Sequence, residues 1–106
     1  VLAAGAALYK ESRGDQKPDE VSVDPPVQSL AAGATSPFLA LARDSKGNKI
    51  EGRKFKWYSR NPAVAKINID TGLVEIPAGV AAGSTAEIIV VDTSSGKSAT
   101  ASVTIN

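Results

Sequence analysis

The chain has 106 residues, 42% of them hydrophobic, and a formal net charge of +1. That length suits one domain with its own core, and the near-neutral charge removes any field that would draw nucleic acid or an acidic membrane surface. With neither cysteine nor histidine present, a disulfide framework, a thiolate metal site and the commonest catalytic base are all excluded.

Residues 1–8 are apolar and Ala-rich, well short of the roughly 20 residues a membrane-spanning helix needs. Residues 11–20 are polar and charged, with Gly14 and Pro18, and carry too little apolar surface to fold alone. Residues 1–20 therefore read as a linker or the cut end of a signal or anchor segment, and the folded domain is expected over 21–106. Val21-Ser22-Val23 opens it. Pro25-Pro26 then interrupts pairing, as an edge strand permits, and residues 27–30 can rejoin a sheet beyond the break. Residues 36–43 form the next strand, but both parities of Pro37-Phe38-Leu39-Ala40-Leu41-Ala42 are apolar, so alternation leaves its facing open. Asp44-Ser45-Lys46-Gly47-Asn48 has strong turn chemistry.

The most informative stretch is 55–76. Phe55 and Trp57 share one parity while Lys54 and Lys56 take the other, the pattern of a half-buried strand with its aromatics inward and its lysines in water. Asn61-Pro62 ends that strand. Ala65, Ile67 and Ile69 then share a face, with Val64 out of phase; a bulge or an inward-tucked turn residue would resolve the mismatch. Asp70-Thr71-Gly72 reads as a tight turn with Gly72 free to take positive φ, and Val74 and Ile76 alternate with Glu75 in a returning strand. After a connector of small residues, residues 85–92 place Ala86, Ile88 and Val90 on one face and Glu87, Ile89 and Val91 on the other. Thr93-Ser94-Ser95-Gly96-Lys97 is a hairpin loop. Ala99, Ala101, Val103 and Ile105 then alternate with Ser98, Thr100, Ser102 and Thr104, the cleanest period-two signal in the chain. About seven short strands separated by turns predict an all-β, antiparallel β-sandwich. Its expected core is Phe38, Phe55, Trp57, Val64, Ile67, Val74, Ile88, Val90 and Val103.

Trp57, Ser59, Asn61, Val64-Ala65, Ile67, Gly72 and Val74 also spell a W-x-S-x-N-x-x-V-A-x-I…G-x-V run. In this run the chain resembles the bacterial immunoglobulin-like domains of group 2, over about residues 21–106. Those modules recur in surface proteins and in adhesins of the invasin and intimin type. The resemblance implies an immunoglobulin-like sandwich whose first strand splits between the two sheets. It implies that Phe38, Ala40 and Ala42 face the core and that Leu39 and Leu41 lie outside. It also implies an extracellular or cell-surface location, with neighbouring domains of the same chain as partners and a host matrix protein or cell-surface glycan as further candidates.

Little in the sequence points to catalysis. A serine nucleophile needs a base, and the Ser45-Lys46 and Lys97-Ser98 pairs are sequence neighbours whose side chains diverge, so no catalytic or cofactor-binding residue is assigned. Asp44, Asn48 and Glu51 in one loop, with Asp70 and Asp92 in two others, leave weak calcium binding open; solvated turn residues are the preferred reading, and no metal ligand is assigned. Arg13-Gly14-Asp15 spells the tripeptide that integrins read, a match short enough to arise by chance. Arg53, Lys54, Lys56, Tyr58 and Arg60 form a candidate binding surface; the alternative is a solvated strand face whose lysines discourage edge association. Leu39 and Leu41, together with Ile89 and Val91, are a second candidate, an apolar area for a neighbouring domain if contiguous and exposed, with partial cover by the N-terminal segment as the equal alternative. The expected role is a non-catalytic spacer or adhesive module of a bacterial surface or secreted protein. The alternatives are an accessory carbohydrate-binding module of a secreted enzyme and a phage tail or capsid decoration domain.

Overall fold

A computed structural model describes residues 19–106; the expectations for residues 1–18, the Arg13-Gly14-Asp15 motif among them, lie outside the described residues. Nine strand segments occur there: β1 (Glu20–Asp24), β2 (Val27–Leu30), β3 (Thr35–Pro37), β4 (Leu39–Arg43), β5 (Phe55–Ser59), β6 (Lys66–Ile67), β7 (Leu73–Glu75), β8 (Thr85–Asp92) and β9 (Ser98–Ile105). The folded part starts slightly before Val21, since Glu20 already pairs with Arg43 and the Asp19 N–H donates to the Arg43 carbonyl.

Two layers result. One is the four-stranded sheet β2-β9-β8-β5. The other comprises β1-β4 and β3-β7-β6, joined because β3 and β4 are halves of one run interrupted only at Phe38. Counting β1 with β2 and β3 with β4 as broken single strands, the nine segments reduce to the seven expected. The proline pair is what splits the first strand between layers: β1 pairs with β4 and β2 with β9. The all-β sandwich is as expected, with one pairing of the opposite sense. The sandwich is not wholly antiparallel, because β2 runs parallel to β9. A chain that crosses to the opposite sheet without reversing direction meets its new neighbour in that sense.

The core is made by the inward parity of each strand. Phe38, Trp57, Val74, Ile88, Val90 and Val103 are buried, with Ala42, Ala65, Ile76, Ala86, Ala101 and Ile105. Phe55, Val64 and Ile67 pack half-buried against them. Val64 belongs to a turn, not a bulge: its N–H and that of Ala65 both donate to the Asn61 carbonyl at 2.9 Å, which tucks the side chain inward. The rest of the corner is built by the same motif. Ser59 Oγ accepts the Asn61 N–H at 3.2 Å, and Asn61 Nδ2 donates to the Thr85 carbonyl at 3.2 Å. Ile69 departs from its expected face and is 44% exposed, because its backbone turns there to accept the Trp57 N–H.

Trp57 lies against Phe38, ring centroids 6.2 Å apart and 28° from parallel. Beneath the indole sits Gly72 at φ 77°. A Cβ added there would fall 2.6 Å from Trp57 Cε2, 2.8 Å from Cζ2 and 2.9 Å from the Phe38 carbonyl oxygen. The glycine is required by both its backbone conformation and the space. Replacing it with alanine adds left-handed strain to overpacking, and Gly72→Ala is expected to lose about 2–5 kcal/mol. Trp57→Ala is expected to lose about 3–5 kcal/mol. Urea denaturation of both variants checks these values. Wild-type midpoints would show that neither position matters.

Candidate functional site

The five residues of the candidate surface lie on or beside β5, which is the edge of its sheet. Lys54, Lys56 and Tyr58 share the outward parity, and Tyr58 is 47% exposed. They do not form a basic patch with the two arginines. Arg53 shares the inward parity of Phe55 and Trp57, and its guanidinium turns to Asp92, with Nε to Oδ2 at 2.9 Å and Nη2 to Oδ1 at 3.0 Å. Lys56 pairs with Asp70. Arg60 pairs with Glu87 at 3.0 Å. Lys54 is the one cation of the four with no carboxylate within salt-bridge distance among the described residues.

Asp92 also needs correcting. The sequence presents it as a solvated turn residue, but it is fully buried. It sits at the inward end of the Ala86, Ile88, Val90 face and opposite Phe55 in the ladder. Besides Arg53, its carboxylate accepts the N–H groups of Ser94 at 2.9 Å and Ser95 at 3.4 Å, while its backbone carbonyl accepts the Gly96 N–H. The pair thus fixes the β8–β9 hairpin loop to the start of β5. Burial pushes the carboxyl upward. The Arg53 hydrogen bond, the Ser94 N–H, the Arg53 charge and the Ser95 N–H outweigh it and hold the group below its ordinary value. Parity could have found this pair, since both residues continue an apolar face. Their charge argued for the surface instead.

The other acidic residues are engaged in loop structure. Asp44 Oδ1 accepts the N–H groups of Lys46 and Asn48, each at 2.9 Å. The Asn48 N–H bond leads the causes that lower its carboxyl from the ordinary value. Glu51 lies 3.6 Å from Lys49. Among the described residues, no group of three or more histidine, cysteine, aspartate or glutamate side chains gathers in metal-holding geometry.

The second candidate surface also divides. Leu39 and Leu41 lie on β4 and Ile89 and Val91 on β8, so they occupy the outer faces of opposite layers. Leu39 is 63% exposed, whereas Ile89 and Val91 are half-buried. No single apolar patch unites the four.

With this geometry established, comparison with known proteins is decisive for the family. The sequence profile described as "Bacterial Ig-like domain (group 2)" matches residues 19–103. The chain belongs to that family. As a group 2 bacterial immunoglobulin-like domain, it is also similar in structure to a solved C-terminal 282-residue fragment of intimin, captured in complex with the intimin-binding domain of the translocated intimin receptor. The likeness has a TM-score of 0.59 at 18% identity and covers 81% of this chain but only 31% of the intimin fragment. At that identity it supports the shared fold alone. No curated protein matches the sequence. No helix among the described residues is long and apolar enough to cross a membrane.

Removing one partner from a buried ion pair strands the other, so Arg53→Met is expected to lose about 3 kcal/mol by urea denaturation. Acid acts through the same pair. A carboxyl whose folded pKa is depressed adds stability above its unfolded value, about 4, and loses it as pH falls through the folded value. The denaturation midpoint is therefore expected to hold between about pH 5 and 7 and to fall below about pH 4. Asp92→Asn should flatten that fall, and an unchanged acid limb in that variant would remove Asp92 as its source.

Proposed function

We propose that this domain is a non-catalytic spacer in a bacterial surface or secreted protein, transmitting position and load between its neighbours on either side. The observation that carries this reading is where the described residues enter and leave the fold. Asp19 enters beside Arg43, next to the 44–52 loop, and Asn106 leaves beside Leu30. These points lie at opposite poles of strands up to eight residues long, or about 25 Å. The parallel β2–β9 pair joins the entering segment to the leaving one across four register positions. Tension applied at the two ends loads those hydrogen bonds in shear, all together, instead of peeling them singly.

An adhesive role is the second reading. It is favoured by exposed Tyr58 and Leu39, and by the intimin fragment having been solved with a receptor domain; here too the partner would be a protein. A carbohydrate platform is less favoured. It uses several exposed rings, whereas Phe38 and Trp57 are buried and Phe55 is half-buried.

Single-molecule pulling on the chain through its two ends tests the spacer. It is expected to give one high-force rupture, lowered in Gln28→Pro, which removes a backbone donor from β2. A low-force, gradual extension would refute load bearing. A screen of the chain against glycans and matrix proteins separates the readings: silence favours the spacer, and saturable binding lost on Tyr58→Ser favours adhesion.

A further inference from the structure

The two long edges of the sandwich are built differently. On one, the chain crosses between layers and Gln28 laces them, Nε2 donating to the Pro37 carbonyl at 2.9 Å and Oε1 accepting from Ser36 Oγ at 2.5 Å. On the other, a groove of about 460 Å³ opens between Phe38-Leu39-Ala40 of one layer and the Arg53–Trp57 stretch of the other.

Some of the backbone groups that line this groove have no partner among the described residues. The Lys54 carbonyl accepts from Thr93, and the Arg60 N–H donates to Glu87, so even-numbered residues of β5 turn their backbone groups toward β8. Alternation then turns those of Phe55 and Trp57 toward the groove. The Trp57 N–H is met there by the Ile69 carbonyl. Neither the N–H nor the carbonyl of Phe55 has a backbone partner among the described residues. Across the groove the same holds for Ala40, between Phe38, whose N–H bonds Gly72, and Ala42, whose carbonyl accepts from Ile50. Outside the groove stand Lys54, without a carboxylate partner among the described residues, and Lys56, shared with Asp70.

We propose that this open edge binds an extended peptide that alternates acidic and small apolar side chains, adding a strand beside β5. Pairing with Phe55 continues the β2-β9-β8-β5 order by one strand of about five residues, bounded by the 44–52 loop and by Ile69. Successive side chains of such a strand point to opposite faces. One set enters the groove against Ala40 and Phe55. The other lies over Lys54 and over Lys56, whose ammonium is shared with Asp70 at the rim of the groove, so Lys54 is the charge that selects carboxylates. The two lysines disfavour a second copy of this domain: antiparallel pairing centred on Phe55 sets Lys54 of each copy against Lys56 of the other, and like charges directly opposite repel. The proposal does not depend on whether the domain is a spacer or an adhesin.

The test is NMR titration of the isotopically labelled 106-residue chain with an end-blocked heptapeptide alternating aspartate and valine. Saturable shifts are expected at the amides of Ala40 and Phe55. Lys54→Glu is expected to weaken binding at least fivefold while leaving the melting temperature unchanged. A peptide with lysine in place of aspartate, and one N-methylated along its pairing edge, should not bind. Three results would overturn the proposal: no shifts at millimolar peptide, equal binding by the N-methylated peptide, or a Phe55 amide already protected from hydrogen exchange in the free chain. The last would mean that the chain's own residues or a second copy fill the groove.

Discussion

The indole of Trp57 rests where three separate segments must come together. Phe38 supplies the stacked ring, Gly72 the floor, and Ile69 the carbonyl that receives the Trp57 backbone N–H. The Phe38 N–H in turn donates to the Gly72 carbonyl. Placing the ring therefore sets the spacing of the layers, the turn before β7 and the junction of β3 with β4 at once. In a chain without disulfides, this packing takes the part that a covalent bridge plays in many sandwiches of this kind.

A second anchor, of opposite physical character, holds the pole where Asp19 enters. The Arg53–Asp92 pair is ionic and largely withdrawn from water, with side chains 16% and 0% exposed. Such a pair gains little net stability after desolvation. It does fix geometry: two residues 39 apart in sequence tie a hairpin loop to the first residues of an edge strand. The indole provides cohesion, and the ion pair aligns one end.

Much of this was legible in the sequence. Strict alternation in β9 and the aromatic-lysine parity of β5 report burial directly, because a strand has only two faces. The W-x-S-x-N run encoded its corner, since Ser59 and Asn61 make the local hydrogen bonds that turn the chain. What stayed hidden was partnership. Parity says that Leu39 and Ile89 both face outward, but not that they face outward from different layers. Composition counts Arg53 among the surface cations, although its parity with Phe55 and Trp57 pointed inward. The direction of β2 relative to β9 has no local signature, because the two lie at opposite ends of the domain's sequence.

The close fit of Gly72 beneath Trp57 has a consequence for how this sequence can drift. Any side chain at position 72 needs the volume that the indole fills, and a smaller ring at position 57 would leave a void that glycine cannot occupy. A smaller ring at position 57 frees the indole's volume but relieves neither the positive φ of Gly72 nor the Phe38 carbonyl 2.9 Å from an added Cβ, so the dependence runs one way. Divergent copies of the domain would sooner trade the tryptophan than the glycine.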